Sequence, residues 1–185
     1  MKIVVKILVV VFFLLGTAQM YAQDKFHVHL DYNYLSGFYE KSDLWSIKSG
    51  LNGFDINITG MHDFNNRLSA GIGIGVEKLY DPAYTIFPVF VKISYSPIKS
   101  TEKPYVFTKL GYGIGTGTSN AGLLFNTGLG YKIKLRDHFG FNFMLGYHLQ
   151  SIRYNMNFYS EEGAIDTKVK HNYRQSFSLG LGFIF

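Results

Sequence analysis

Ser178-Leu179-Gly180-Leu181-Gly182-Phe183-Ile184-Phe185 is the stretch on which the reading of this chain turns. Side chains of an extended strand alternate between two faces. Phe177, Leu179, Leu181, Phe183 and Phe185 therefore share one face, and Ser176, Ser178, Gly180, Gly182 and Ile184 share the other. A face of large apolar side chains backed by very small ones suits a strand held between lipid and a narrow lumen. A terminal strand of a soluble core is the competing reading, and the rest of the chain decides between the two.

Working outward, the same alternation recurs to give eight segments in all. The first, about 25–35, sets Phe26, Val28, Leu30, Tyr32 and Tyr34 against His27, His29, Asp31 and Asn33. The second sets Phe54, Ile56 and Ile58 against Asp55, Asn57 and Thr59, and ends in the turn-forming run Asp63-Phe64-Asn65-Asn66. In the third, Leu68, Ala70, Ile72, Ile74 and Val76 oppose Ser69, Gly71, Gly73, Gly75 and Glu77. The fourth pairs Phe87, Val89, Val91, Ile93 and Tyr95 with Pro88, Phe90, Lys92 and Ser94. The fifth (Tyr105 to Ile114), sixth (Leu123 to Leu135) and seventh (Phe139 to Gln150) repeat the pattern, and the C-terminal stretch is the eighth.

The direction of the apolar face separates a soluble barrel from a membrane barrel. Apolar face inward, Gly71, Gly73, Gly75, Gly111 and Gly113 would line a water-facing surface, where glycine weakens a strand and gains nothing. Apolar face outward, those glycines share a narrow lumen with Phe90, Tyr105, Phe107, Lys92, Lys109 and Lys132, and small residues make room for large ones. Phe26, Tyr34, Tyr84, Tyr95, Tyr147 and Phe185, near strand ends, suit interfacial aromatic girdles. The fold expected is all-β, an eight-stranded antiparallel up-and-down transmembrane barrel. An even strand number puts both termini on one side, expected to be periplasmic, with short turns there and longer loops outside. Pro88 lacks the N–H that a closed ladder needs, so a bulge or pairing defect is expected around it, near the outer rim.

The N-terminus has the pattern of a leader. Lys2 and Lys6 precede an apolar run from Ile7 to Leu15, and small residues follow at Gly16, Thr17, Ala18 and Ala22. That run is well short of the roughly 20 residues that span a bilayer as a helix. Residues 1–22 are expected to be a signal peptide and 23–185 the barrel, with cleavage after Ala22 or, alternatively, Ala18. The formal charge of +5 falls to +3 once Lys2 and Lys6 leave, too mild and too scattered for a nucleic-acid partner. With no cysteine, disulfides and a lipoprotein anchor are excluded.

The terminus resembles the C-terminal β-signal of bacterial outer-membrane proteins at Ser178, Gly180, Phe183 and Phe185. Beyond it, Ile86-Phe87-Pro88-Val89 leading to Lys92 and Tyr95, then Pro104-Tyr105 and Gly111-Tyr112-Gly113, resemble the outer-membrane β-barrel domain family of OmpA- and OmpX-type eight-strand architecture. The resemblance implies the outer membrane of a Gram-negative bacterium, lipopolysaccharide around the wall, and the barrel-assembly machinery as a partner during biogenesis. The family is functionally mixed, so it implies no activity.

Lys92, Lys109, Lys132, Lys134 and Arg174 fall on the inward face with Asp31, Asp55 and Glu77. Unpaired charge in a confined lumen is costly, so an ion-pair network plugging the barrel is expected. A small-solute channel is an alternative that needs a wider barrel. His27 and His29 share a face but bring no third ligand for a metal, and the two glycine runs at 71–75 and 111–115 open no helix to hold a phosphate. No cofactor is expected. The catalytic alternative is a lipid A-modifying hydrolase. Lipid A deacylases resemble one another in a His and a Ser two residues apart on one face, whereas His148 and Ser151 are three apart and fall on opposite faces of a regular strand.

What remains is a monomeric barrel with a structural or surface-interaction role. The segments 36–50 and 155–170 become neighbours when the first and last strands pair. They offer Tyr39 and Trp45 on one side, and Phe158, Tyr159, Glu161 and Glu162 on the other, as a possible contact surface for a protein. The second is read as a hairpin projecting above the membrane around Glu162-Gly163, whose edge could accept an added strand.

Overall fold

A computed structural model describes residues 25–42, 46–47, 51–80, 83–98, 103–116, 119–136, 139–159 and 165–185. The expected leader, Trp45, Glu161 and Glu162 lie outside the described residues, and Phe158 and Tyr159 are described only as strand backbone.

The strands are β1 (Phe26–Ser42), β2 (Ser46–Ile47), β3 (Leu51–Asp63), β4 (Leu68–Leu79), β5 (Tyr84–Tyr95), β6 (Lys103–Gly115), β7 (Ser119–Arg136), β8 (Phe139–Tyr159) and β9 (Ile165–Ile184). The two-residue β2 folds back on β1. The other eight pair antiparallel in chain order, and β1 pairs with β9 from His29↔Ile184 to Ser42↔Asn172, closing the sheet. Closure joins the first and last strands of the wall, so the barrel itself has no free sheet edge facing lipid.

The apolar face points outward. Ile72, Leu129 and Leu179 are 73%, 63% and 63% exposed, while Asp31, Glu77, Lys92 and Arg174 on the other face are fully buried. Inside, glycines sit where large side chains need space. A Cβ at Gly130 would overlap the Tyr105 ring, one at Gly73 the Phe90 ring, and one at Gly182 the Asp31 carboxylate. At the end holding the termini, the Asn65 carboxamide oxygen accepts from the N–H groups of Arg67 and Leu68 at 2.8 and 2.9 Å, forming the expected turn after β3.

Three features depart from the regular picture. Tyr84 was expected in the outer girdle; it packs inside against Leu35, Leu79, Ile86 and Ile152, because it shares the inward parity of Ile86 and Phe90. The defect expected at Pro88 takes the form of a gap without a bulge. The β4–β5 ladder lacks the Gly75–Pro88 and Val76–Phe87 pairs yet resumes in the same register, while Pro88 still pairs with Gly113 on β6. The missing donor thus costs pairing on the β4 side only. Finally, residues 36–42 and 46–47 of the expected 36–50 loop are strand. β1 runs to Ser42, past a register shift between Gly37 and Tyr39, and β8 and β9 pair out to Tyr159↔Ile165. The length expected in loops is carried by strands that outrun their neighbours.

Candidate functional site in the barrel lumen

Period-two alternation delivers a set of polar side chains to the lumen, and the stagger of the strands decides which of them meet. Lys92 on β5 donates to Asp31 on β1 at 2.9 Å, both side chains being fully buried. Asn142 donates to the other Asp31 oxygen at 3.1 Å, and the Tyr105 hydroxyl donates to the Asn142 carbonyl. Tyr105, Phe107 and Met144 pack together around this group, with the Lys92 ammonium 5.8 Å from the Phe107 ring centre.

Toward the loop end, Asp55 accepts from Asn33 at 2.5 Å and from Asn57. His148 lies between Glu77 (Nε2 to Oε1, 3.3 Å) and the Asn126 carboxamide (3.2 Å at Nδ1). The Lys109 ammonium is 5.3 Å from the Phe90 ring centre, and that of Lys132 is 5.0 Å from Tyr105. Nearest the loop end, Arg174 Nε donates to Glu40 at 2.7 Å and its Nη1 to the carbonyl of Tyr80 at 2.9 Å; Asn172 donates to the second Glu40 oxygen at 2.8 Å.

Of the expected inward charges, Asp31, Asp55, Glu77, Lys92, Lys109 and Arg174 are buried in the lumen, and Lys132 is half-buried over Tyr105. Lys134 differs. It keeps the inward parity of Lys132, pairing with Gly140, but is exposed at the end of β7, next to a register shift between Lys134 and Arg136. Glu40 was not anticipated. The bulge at Gly37–Tyr39 reverses the parity of β1, so that even-numbered Glu40 follows odd-numbered Asp31, Asn33 and Leu35 into the interior. The only sequence signal for it is the Ser36-Gly37 break in the alternation. Glu40 thus joins Asp31, Asp55 and Glu77 as a buried carboxylate, in an interior that also holds Lys92, Lys109, Lys132 and Arg174.

His27, weighed as a metal ligand, instead bonds Asp63 at 2.8 Å near the opposite end of the barrel, and Asp63 also accepts from Ser69. Both ring nitrogens of buried His29 are without a hydrogen-bond partner among the described residues. No group of three or more His, Cys, Asp or Glu side chains is arranged to hold a metal among the described residues. His148 faces Glu77, whereas Ser151 lies one position out of phase, beside Gly122 and paired with outward-facing Tyr173. The two are not brought together as base and nucleophile.

Ser178 and Gly180 of the assembly signal face the lumen, and Phe183 and Phe185 face outward. The outward pair joins Phe139 and Phe141 in one aromatic cluster, with ring centres 5.5 to 6.4 Å apart.

No protein-family model matches the sequence, and no curated protein matches it. Solved structures do match. The outer membrane protein OprG from Pseudomonas aeruginosa is similar with a TM-score of 0.53 at 12% identity, over 87% of this chain and 96% of that one. Neisserial surface protein A (NspA) is similar at 0.52 and 17%, over 85% and 95%. The outer membrane protein AlkL is similar at 0.51 and 12%, over 89% and 92%. At these identities the likeness is one of fold. The chain has the eight-strand outer-membrane barrel fold that the OmpA- and OmpX-type resemblance implied.

Proposed function

We propose that this chain is a small integral protein of the Gram-negative outer membrane, exported by a leader at 1–22, with a closed, plugged lumen and a structural or surface-interaction role. The observation that carries the reading is the cross-bonded set of buried charges inside a predominantly apolar outer wall. Buried ion pairs rarely add net stability, but breaking one is strongly destabilising, so such a network holds a single lumen arrangement. A conducting pore would present its charges to water, whereas here Lys92, Asp31, Arg174 and Glu40 have no exposed side-chain surface.

Catalysis is not part of this reading, because His148 is engaged by Glu77 and Asn126 on the face away from Ser151. The surface role is assigned to the strands that outrun the barrel at the loop end. β8 beyond Tyr154 has no β7 partner and β9 before Asn172 has no β1 partner among the described residues, which leaves two strand edges open to addition by another chain. Both termini are taken as periplasmic, lipopolysaccharide as the surrounding lipid, and the monomer as the working unit. Planar-bilayer recording tests the closed lumen: the purified protein should give no large, stable conductance steps, and their regular appearance would overturn the reading in favour of a small-solute channel.

A further inference from the structure

Arg174 is among the largest fully buried side chains, and its contacts span the barrel. It rises from β9, its cross-strand neighbour on β1 is Glu40, and its guanidinium bonds both that carboxylate and the carbonyl of Tyr80, at the end of β4. The same guanidinium lies 6.0 Å from the ring centre of Tyr84, the first residue of β5. In the closed order β9-β1-β3-β4-β5, β5 stands opposite β9. One side chain therefore ties the β1–β9 seam to both ends of the β4–β5 turn across the mouth.

Beside this strap, Leu35, Leu79, Ile86 and Ile152 converge from β1, β4, β5 and β8 into an apolar cluster at most 1% exposed. Two residues deeper on β4 and on β8, the lining turns polar with Glu77 and Gln150, followed by His148 and its cross-strand neighbour Ser176. Here Glu77 Oε2, Asn126 Oδ1, Gln150 Oε1 and Ser176 Oγ are buried without a hydrogen-bond partner among the described residues. Buried polar atoms in this state are ordinarily satisfied by enclosed water.

We propose that Arg174 is a latch: with Glu40, Tyr80 and the Leu35–Leu79–Ile86–Ile152 cluster it shuts a hydrated chamber around His148, and its release opens that chamber to water and small polar solutes from the loop end. This rests on the closed-lumen reading and adds a point of release to it. Loss of the guanidinium removes its bonds to Glu40 and to the carbonyl of Tyr80 on the turn side of the mouth, while the Lys92–Asp31 group deeper in the lumen keeps its own partners.

Because the chain has no cysteine, access to the chamber can be read with one introduced thiol. Ser176→Cys is placed in the refolded full barrel and exposed to a small, charged, water-soluble methanethiosulfonate, with heat-modifiable gel mobility as the check of folding. With Arg174 present the thiol should react slowly. With Arg174→Ala, or with the milder Arg174→Lys and Glu40→Gln should the alanine variant fail to fold, it should react about tenfold faster or more, the change in opening expected from losing a hydrogen bond to a charged group. Equal, slow rates in folded latch variants would overturn the latch and leave the closed lumen standing. Fast reaction with Arg174 intact would overturn the closed lumen itself.

Discussion

Lys92 and Asp31 meet with neither side chain exposed, so the charge of each depends on the other. Removing one partner strands a charge in a low-dielectric interior, a loss of about 3–5 kcal/mol, whereas removing both is often nearly neutral. Lys92→Met should therefore lower the unfolding free energy of the detergent-refolded barrel by about 3–5 kcal/mol. Adding Asp31→Asn to it should restore most of that loss, as read by denaturant titration of the double-mutant cycle. If the double variant is as unstable as the single one, the pair does not hold the lumen. At this scale the sequence was informative about direction, since alternation placed Asp31, Asp55, Glu77 and Lys92 inside. It was silent about partners: Asp31 finds its cation 61 residues away, at a height set by strand stagger.

β1 shows how one extra residue changes a site. Up to Leu35 its odd positions face inward; after the shift at Gly37–Tyr39 Glu40 does, and Phe38 lies 4.7 Å from Phe177 by ring centres. Alternation read without the bulge assigns Glu40 to the wrong environment. The β8–β9 hairpin is the opposite case: its pairing was legible from larger residues that shift to Tyr154, Met156 and Phe158 beyond Ser151, while Ile165, Thr167 and Val169 keep the parity of the last strand. Beyond Tyr154 and Lys170 its strands pair only with each other among the described residues, so they contribute little to barrel closure. Replacing 155–169 by a short turn should leave the thermal transition of the barrel within a few degrees of the intact protein while abolishing capture of a surface partner by cross-linking on whole cells. An unchanged partner set with a leakier envelope would instead favour a shielding role for the hairpin.

The molecule as a whole is held by the seam where its two terminal strands meet. Phe185 and Val28 exchange both backbone hydrogen bonds at 2.9 Å, and the Phe185 ring completes the aromatic cluster with Phe139, Phe141 and Phe183 on the outer wall. Phe185→Ser leaves the backbone bonds possible but removes an outward-facing apolar ring from that seam and breaks the match to the assembly signal. Its expected outcome is export at the normal level with a sharp fall in the heat-modifiable, membrane-inserted form; undiminished barrel would count against the signal. Sequence alone determined the strand count, the outward apolar face and the glycine-lined interior, because each follows from period-two alternation within a single segment. Only the tertiary structure decided the Asp31–Lys92 and Glu40–Arg174 pairs, the inward turn of Tyr84 and the one-sided gap at Pro88. Those depend on bulges and on the stagger accumulated around a closed sheet, which no segment carries by itself.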